Sequence, residues 1–406
     1  MRDSHYAIPA LPDRNNGTPL ARLRKRQAFG FLERVGDQLQ PTPTQLERAE
    51  RAYNAIGQWL ADDPGLIDAQ IYAQGSIAHG TANKPIGRNE QDVDLILLTP
   101  RYTPLLPPSE LKRLVGQRLA AHDRYRTMLE EMPRCWRLNY SGDFHLDITP
   151  SIRNPECFNG GELVPDKNVR KWKPSNPKGF RDLFARRAAM QPLPKAREQR
   201  GITLDKAEVE PFPAKSSAKG ILRVTVQILK RDRDIQFLND DQGLAPLSII
   251  ITALSSRAYE WCVTHYSYDN EFDLLCDTVR AMPWFIEEPV ENGRHIWLIS
   301  NETTAGENFA EKWNKDPRRA TSFYDWHARV LMDLDSLAEI SGLDQIAEYL
   351  GGILGESPVR GAMDSLNRDI GEARESKRLY VAPAIGITTS AVSKATPVKA
   401  NTFFGR

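Results

Sequence analysis

Apolar residues recur at Leu46, Ala49, Tyr53, Ile56 and Leu60, the spacing of one helix face, and Pro41 and Pro43 mark its start, so a long helix is expected over 42–60. The period then changes. Ala69–Ala73 reads as a strand, and in DVDLILL the residues Val93, Leu95 and Leu97 alternate with Asp92 and Asp94, the two-residue period of a second strand. Pro104 to Pro108 punctuate the chain before a helix expected over 109–130, with Ser109 as its N-cap. CWRLNY and FHLDITPSI read as strands paired through a turn at Ser141-Gly142-Asp143; in the second, Phe144, Leu146 and Ile148 alternate with His145, Asp147 and Thr149. Helical patterns dominate afterwards. Ile221, Val224, Ile228 and Ile235 form one stripe over 220–238, GENFAEKW opens another helix, and Phe323, Trp326, Val330 and Leu331 lie along a helix expected over 318–340 behind Asp316-Pro317. Strands early and helices late make an α+β chain.

The chemistry concentrates in residues 72–98, YAQGSIAHGTANKPIGRNEQDVDLILL. On a strand, Asp92 and Asp94 project from the same face, and two carboxylates that close repel unless a cation lies between them. Mg²⁺ fits such a pair because it is hard, binds oxygen, and takes few protein carboxylates when phosphate completes its shell. Gly75 would let the backbone approach a phosphate, and Ser76 with the amides after it would donate to that phosphate. Two metals need more oxygen ligands than one pair supplies, so a third acid is expected nearby. Asp147 is the best candidate; Asp143, in the turn, is weaker. Alone, each of these pieces reads equally as a turn or a solvated strand face.

The ordered set GS, GT, DVDL and a later strand aspartate resembles the nucleotidyltransferase superfamily of DNA polymerase beta type. VTVQILKRDRDIQF, APLSIIITAL and GENFAEKWN resemble the helical half of the branch containing oligoadenylate synthase and the bacterial cGAS/DncV-like enzymes (CD-NTases), and the similarity spans about residues 42–340. It implies a two-lobed fold: a nucleotidyltransferase core with a mixed sheet over 1–165, a mainly helical lobe over 166–380, and a flexible tail over 381–406. Asp92, Asp94 and Asp147 would be the catalytic residues and would hold two Mg²⁺, with Mn²⁺ as a substitute. Gly75, Ser76, Thr81, Lys230 and Ser248 would bind the nucleotide, Lys230 reaching the triphosphate. The implied activity is synthesis of a cyclic oligonucleotide second messenger from ATP and GTP, with cyclic GMP-AMP the first guess, in antiphage (CBASS) signalling with a downstream effector that responds to the product. The alternatives are a template-independent transferase acting on RNA or a small hydroxylated acceptor, and a nucleotide-binding regulator without turnover. Some bacterial relatives carry a tail that an E1/E2-like partner joins to other molecules; here the sequence ends in Gly405-Arg406.

Composition narrows this picture. The 406 residues are 40% hydrophobic, ample for a core, and no apolar run approaches the length of a membrane span. The first forty residues lack the basic-then-apolar pattern of a secretory signal, so cytoplasmic residence is expected. A net charge of +1 argues against the whole protein being a nucleic-acid-binding surface. Cys135, Cys157, Cys262 and Cys276 are scattered without a CxxC pair, so neither a disulfide framework nor a zinc-bearing thumb like that of animal cGAS is expected. Basic residues crowd 166–219, either as a solvated run or lining the mouth of a site for polyanionic nucleotides; the Pro-rich part, 191–218, reads as a loop. His79 is either a surface residue or a substrate contact, and Ser248 either an N-cap or a phosphate contact. The aromatics of 261–297 read as core more readily than as stacking platforms. The tail has no Asp or Glu and little periodicity, and order is not expected there.

Overall fold

The computed structural model describes residues 11–12, 18–66, 68–87, 90–140, 142, 144–166, 171–194, 220–382, 386–388 and 396–398. Helix α1, Pro19–Leu39, opens at Thr18, whose hydroxyl accepts from the Ala21 amide. Helix α2, Pro43–Ala61, opens on a capping box between Thr42 and Gln45 that satisfies an otherwise unpaired amide at each end of the box. Strand β1, Gln70–Gln74, runs into the short helix α3, Gly75–His79, and β2 follows at Gln91–Leu98. The helix expected over 109–130 divides into α4, Pro108–Ala120, and α5, Asp123–Met128, and its last residues become strand β3, Leu129–Glu131. Pro107, with no side-chain cap, precedes α4, so Ser109 is not its N-cap. Strands β4, Trp136–Tyr140, β5, Phe144–Arg153, β6, Glu162–Asp166, and β7, Lys171–Ser175, complete a seven-stranded mixed sheet in the order β1-β2-β5-β4-β3. Strands β6 and β7 continue from the far end of β5. β2 and β5 are its parallel pair.

Alternation decides which face of this sheet is buried. Val93, Leu95 and Leu97 of β2 and Leu146 and Ile148 of β5 pack against Ile56 and Leu60 of α2 and Leu111, Val115 and Leu119 of α4. Slipping β2 by one residue would expel three apolar side chains worth about 1.5–3 kcal/mol each and bury two aspartates. The register therefore fixes Asp92, Asp94 and Asp147 on the opposite face.

The chain continues mainly as helices: α6, Pro177–Ala188, which packs on β1 and α3, then α7, Ile221–Gln236, α8, Ser248–His265, α9, Glu271–Ala281, α10, Glu311–Lys315, α11, Arg318–Glu339, α12, Leu343–Leu354, and α13, Glu356–Glu375. Leu222, Val224 and Leu229 bury α7 in a second core together with Phe31, Leu32, Val35 and Leu39 of α1. Trp313, Trp326, Tyr259, Phe272 and Phe323 fill it, and Trp261, Trp284 and Trp297 pack on its edge, as expected for core aromatics.

Where it is described, much of the basic run is engaged in ion pairs. Of its described members, Lys173 pairs with Glu311 and Asp166, Arg187 is buried between Glu260 and Glu302, and Arg181 pairs with Asp182. Lys178 stands over the Tyr72 ring. None of these four lines the cleft described below. Lys167, Arg170 and the segment 195–219 lie outside the described residues, as do Ser141 and Asp143. Within the tail, where no order was expected, Tyr380–Ala382 pairs antiparallel with Gly386–Thr388 and with Thr396–Pro397.

Candidate active site

Gln74, the last residue of β1, pairs with Asp94 across β1 and β2, so the residue that follows it and opens α3 sits directly beside that carboxylate. That residue is Gly75, at φ +69°. A side chain here would need the left-handed conformation that only glycine adopts freely. Its Cβ would also lie 3.0 Å from Asp94 Cγ, 3.3 Å from Asp94 Cβ, and closer still to Oδ2. The turn from β1 into α3 is thus built around the Asp94 carboxylate.

The β2–β5 register sets Asp94 beside Asp147 and Asp92 beside His145, while β4 sets Arg137 on the other side of Asp147. Burial raises the Asp94 carboxyl to about 7, and its neighbours Asp92 and Asp147 push in the same direction. Asp147 is held differently. Arg137 Nε donates to one of its oxygens at 2.7 Å and Nη2 to the other at 2.8 Å, a two-point pair, and Nη2 also stands 3.6 Å from Asp92. The Cys135 thiol shares a hydrogen bond with Asp147, and burial pushes that thiol up to about 12. As the side chains stand, no three His, Cys, Asp or Glu residues among the described ones converge closely enough to hold one metal ion together. The chemistry of the donors nevertheless suits a hard cation: two carboxylates share one strand face, a third lies one strand away, and their mutual repulsion is incompletely balanced.

Helix α7 forms the opposite wall. Lys230 Nζ donates to the Thr81 carbonyl at 2.9 Å, and burial, with Arg233 next to it, lowers the Lys230 ammonium to about 8. Arg233 pairs with Asp234 and donates to Ser248 Oγ at 3.0 Å and to the Pro246 carbonyl. Ser248 is the first residue of α8 and not its N-cap, which is Leu247. The loop after α3 is clamped to α7. Gln227 donates to the Ala82 carbonyl, Asn83 donates to the Gln227 carbonyl, and Arg223 donates to the His79 carbonyl.

Between the walls lies a cleft of about 520 Å³. Gly75, Ser76, Thr81, Asp92, Asp94, Lys230 and Ser248 all line it; Asp147, paired with Arg137 and next to Asp94 by register, does not. Thr81 contributes in an unexpected way. Its side chain is fully buried and its hydroxyl has no partner, so what it offers is the carbonyl that holds Lys230. His79 is not a surface residue: it is buried against Phe180 and Phe184, and burial lowers its imidazole to about 4.

Residues 27–187 match the Second Messenger Oligonucleotide or Dinucleotide Synthetase domain. Over 392 residues, 94% of this chain and 98% of the relative, the sequence is 28% identical to a c-di-GMP synthase of Roseivirga ehrenbergii. The chain is similar to the cGAS/DncV-like nucleotidyltransferases, the CD-NTases. It is also 23% identical to the cyclic dinucleotide synthase CdnG of Bradyrhizobium diazoefficiens, over 91% of this chain and 92% of that protein. The fold of this chain matches the solved structure of Bradyrhizobium diazoefficiens CdnG in complex with GTP, with a TM-score of 0.61 at 21% identity, covering 86% of this chain and 100% of the other. The polymerase-beta-like α+β architecture expected from the sequence is the one found.

Three residues in and around this site escaped the sequence reading. Arg233 lies off the apolar stripe of its helix, where nothing in the spacing marks it out, yet it reaches Ser248. Glu90, within 3.1 Å of His145, lies just before β2 among polar residues whose pattern singles out none of them. Arg137 alternates with Trp136 and Leu138, which marks a polar strand face, but its partner is set only by the β4–β5 register.

Proposed function

We propose that this protein joins two nucleoside triphosphates into a cyclic dinucleotide and releases pyrophosphate, with GTP among its substrates. The observation that supports this reading best is the disposition of Asp92, Asp94 and Asp147 on one sheet face, opposite Lys230, across a cleft within the usual size range for small-molecule sites. In this reading Asp92 and Asp94 hold Mg²⁺, or Mn²⁺ in its place, and Asp147 completes a two-ion set. A divalent ion bound there supplies charge that lowers the pKa of an acceptor ribose hydroxyl and offsets that of the triphosphate.

The chain's own residues do the positioning. Gly75 and Ser76 bring backbone and hydroxyl donors to the phosphates. Lys230, already held by the Thr81 carbonyl, neutralises charge on the β- and γ-phosphates as pyrophosphate departs. The Ser248 hydroxyl serves the same phosphates, with Arg233 orienting it. The acceptor hydroxyl attacks the α-phosphorus in line, the bond to the β-phosphate oxygen breaks, and a second attack by the first product closes the ring.

Guanine-only cyclic dinucleotide, named for the Roseivirga relative, replaces cyclic GMP-AMP as the first product to test. An antiphage setting, a downstream effector, an E1/E2-like partner for the tail and a cytoplasmic location belong to the same proposal and rest on the resemblance. No described helix is long and apolar enough to cross a membrane.

The test is incubation with Mg²⁺ and GTP, ATP, CTP and UTP, singly and mixed, then phosphatase treatment and mass spectrometry. A phosphatase-resistant product of two nucleotide units supports the proposal. Elongation of an added RNA or small acceptor without a cyclic species favours the template-independent alternative, and no turnover under any condition favours a nucleotide-binding regulator.

A further inference from the structure

Arg137 lies between two of the three site carboxylates. Its guanidinium grips both oxygens of Asp147 at 2.7 and 2.8 Å and leans to within 3.6 Å of Asp92, so one fixed positive charge bridges two of the three site carboxylates. Such a two-point pair is strong and directional. It takes up one lone pair on each Asp147 oxygen, so a divalent ion would have to share this carboxylate with the guanidinium or displace it. As the side chains stand, the three acids, neighbours by register, do not converge on one point.

We propose that Arg137 is a built-in cation that competes with divalent ions for Asp147, so that the third carboxylate takes metal only when a nucleoside triphosphate draws the guanidinium away. This rests on the metal-binding reading above. A guanidinium pairs with phosphate in the same two-point geometry as with carboxylate, so the exchange replaces one such pair by another. The side chain has room to move: it is about one-fifth exposed, at the edge of the carboxylate face. The Cys135 thiol, which also shares a hydrogen bond with Asp147, remains on that side chain after Arg137 leaves. Arg137 is thus a positioning residue for Asp147 and sets the order of loading, nucleotide before the second ion.

The test measures metal binding without turnover. Nucleotide-free protein is titrated with Mn²⁺ while the electron paramagnetic resonance signal of free Mn²⁺ is followed, for wild type, Arg137→Gln, Arg137→Lys and Asp94→Asn. Removing a fixed charge this close to the ion should tighten Mn²⁺ binding by about tenfold or more in Arg137→Gln. Arg137→Lys, which keeps the charge and loses the fork, should fall between. Thermal unfolding gives a second readout: in chelator Arg137→Gln should melt below wild type, because Asp147 then faces Asp94 without its cation, and Mn²⁺ should raise its Tm by more than it raises that of wild type. Unchanged or weaker Mn²⁺ binding by a folded Arg137→Gln overturns the proposal, and unchanged binding by Arg137→Lys does so if the glutamine variant does not fold. Absence of Mn²⁺ binding in every form, also with a non-hydrolysable GTP analogue present, overturns the metal reading and this inference together, whereas loss of binding confined to Asp94→Asn leaves that reading standing.

Discussion

Replacing Gly75 by alanine probes the closest packing in the site. The backbone there has φ +69°, a conformation that costs an alanine about 1–2 kcal/mol. The new methyl would also sit on the Asp94 carboxylate, 3.0 Å from Cγ and nearer to Oδ2, and forcing that carboxyl off its rotamer adds about 0.5–1.5 kcal/mol. Gly75→Ala should therefore lose about 2–3 kcal/mol in urea unfolding, read as a shift in midpoint at constant slope. In an Asp94→Ala background the carboxyl is absent and only the backbone contribution remains, about 1–2 kcal/mol, so the double-mutant cycle should show a coupling of about 1 kcal/mol. The effect on chemistry is larger, since moving a reacting group by about 1 Å costs about 100-fold in rate. A Gly75→Ala protein as stable as wild type, or one that loses equal stability in both backgrounds, would refute the claim that the β1–α3 turn is built around Asp94.

Lys230→Ala should raise the KM for nucleoside triphosphate by about tenfold with a smaller effect on kcat, as expected for loss of one charged hydrogen bond to phosphate; an unchanged KM in steady-state assays would return Lys230 to a structural role beside Thr81. Asp232 accepts from Trp326 Nε1 and Gln236 Nε2, each at 2.8 Å, and burial raises its carboxyl from 3.8 to about 7. The folded protein therefore keeps a proton that the unfolded chain releases, and stability falls as pH rises between about 4 and 8, by at most about 4 kcal/mol. Asp232→Asn keeps an oxygen acceptor and should melt above wild type at pH 8 but near it at pH 4; equal Tm differences at both pH values would contradict this. Asp94→Asn should not lower Tm, because it removes a carboxylate from a repelling set, and a marked fall in thermal unfolding would show that Asp94 is held by attraction.

The parts legible from the sequence were those set by short-range pattern. The alternation around Asp92 and Asp94 fixed their common face, the same pattern exposed Asp147, and the stripe of 220–238 located the helix that carries Lys230. Helix α1 went unread because its apolar face, Phe31, Leu32, Val35 and Leu39, gains meaning only from packing with α7 and the helices after it. The strand at Leu129–Glu131 was taken into a helix because three residues are too few to show a period, and pairing with β4 decides their state. Arg137 was invisible as a site residue for the same reason: its contact with Asp147 is a product of strand register, which no local spacing encodes. His79 looked like an exposed helix end because Phe180 and Phe184, which cover it, lie a hundred residues away along the chain.

The central claim, that phosphoryl transfer occurs on the carboxylate face of β2 and β5, is tested most directly by pyrophosphate release from GTP and Mg²⁺ in wild type and in Asp92→Asn/Asp94→Asn, compared at equal concentration and with unfolding curves for both. The account predicts steady release by wild type and none by a variant that is at least as stable. Full release by the folded variant would contradict it.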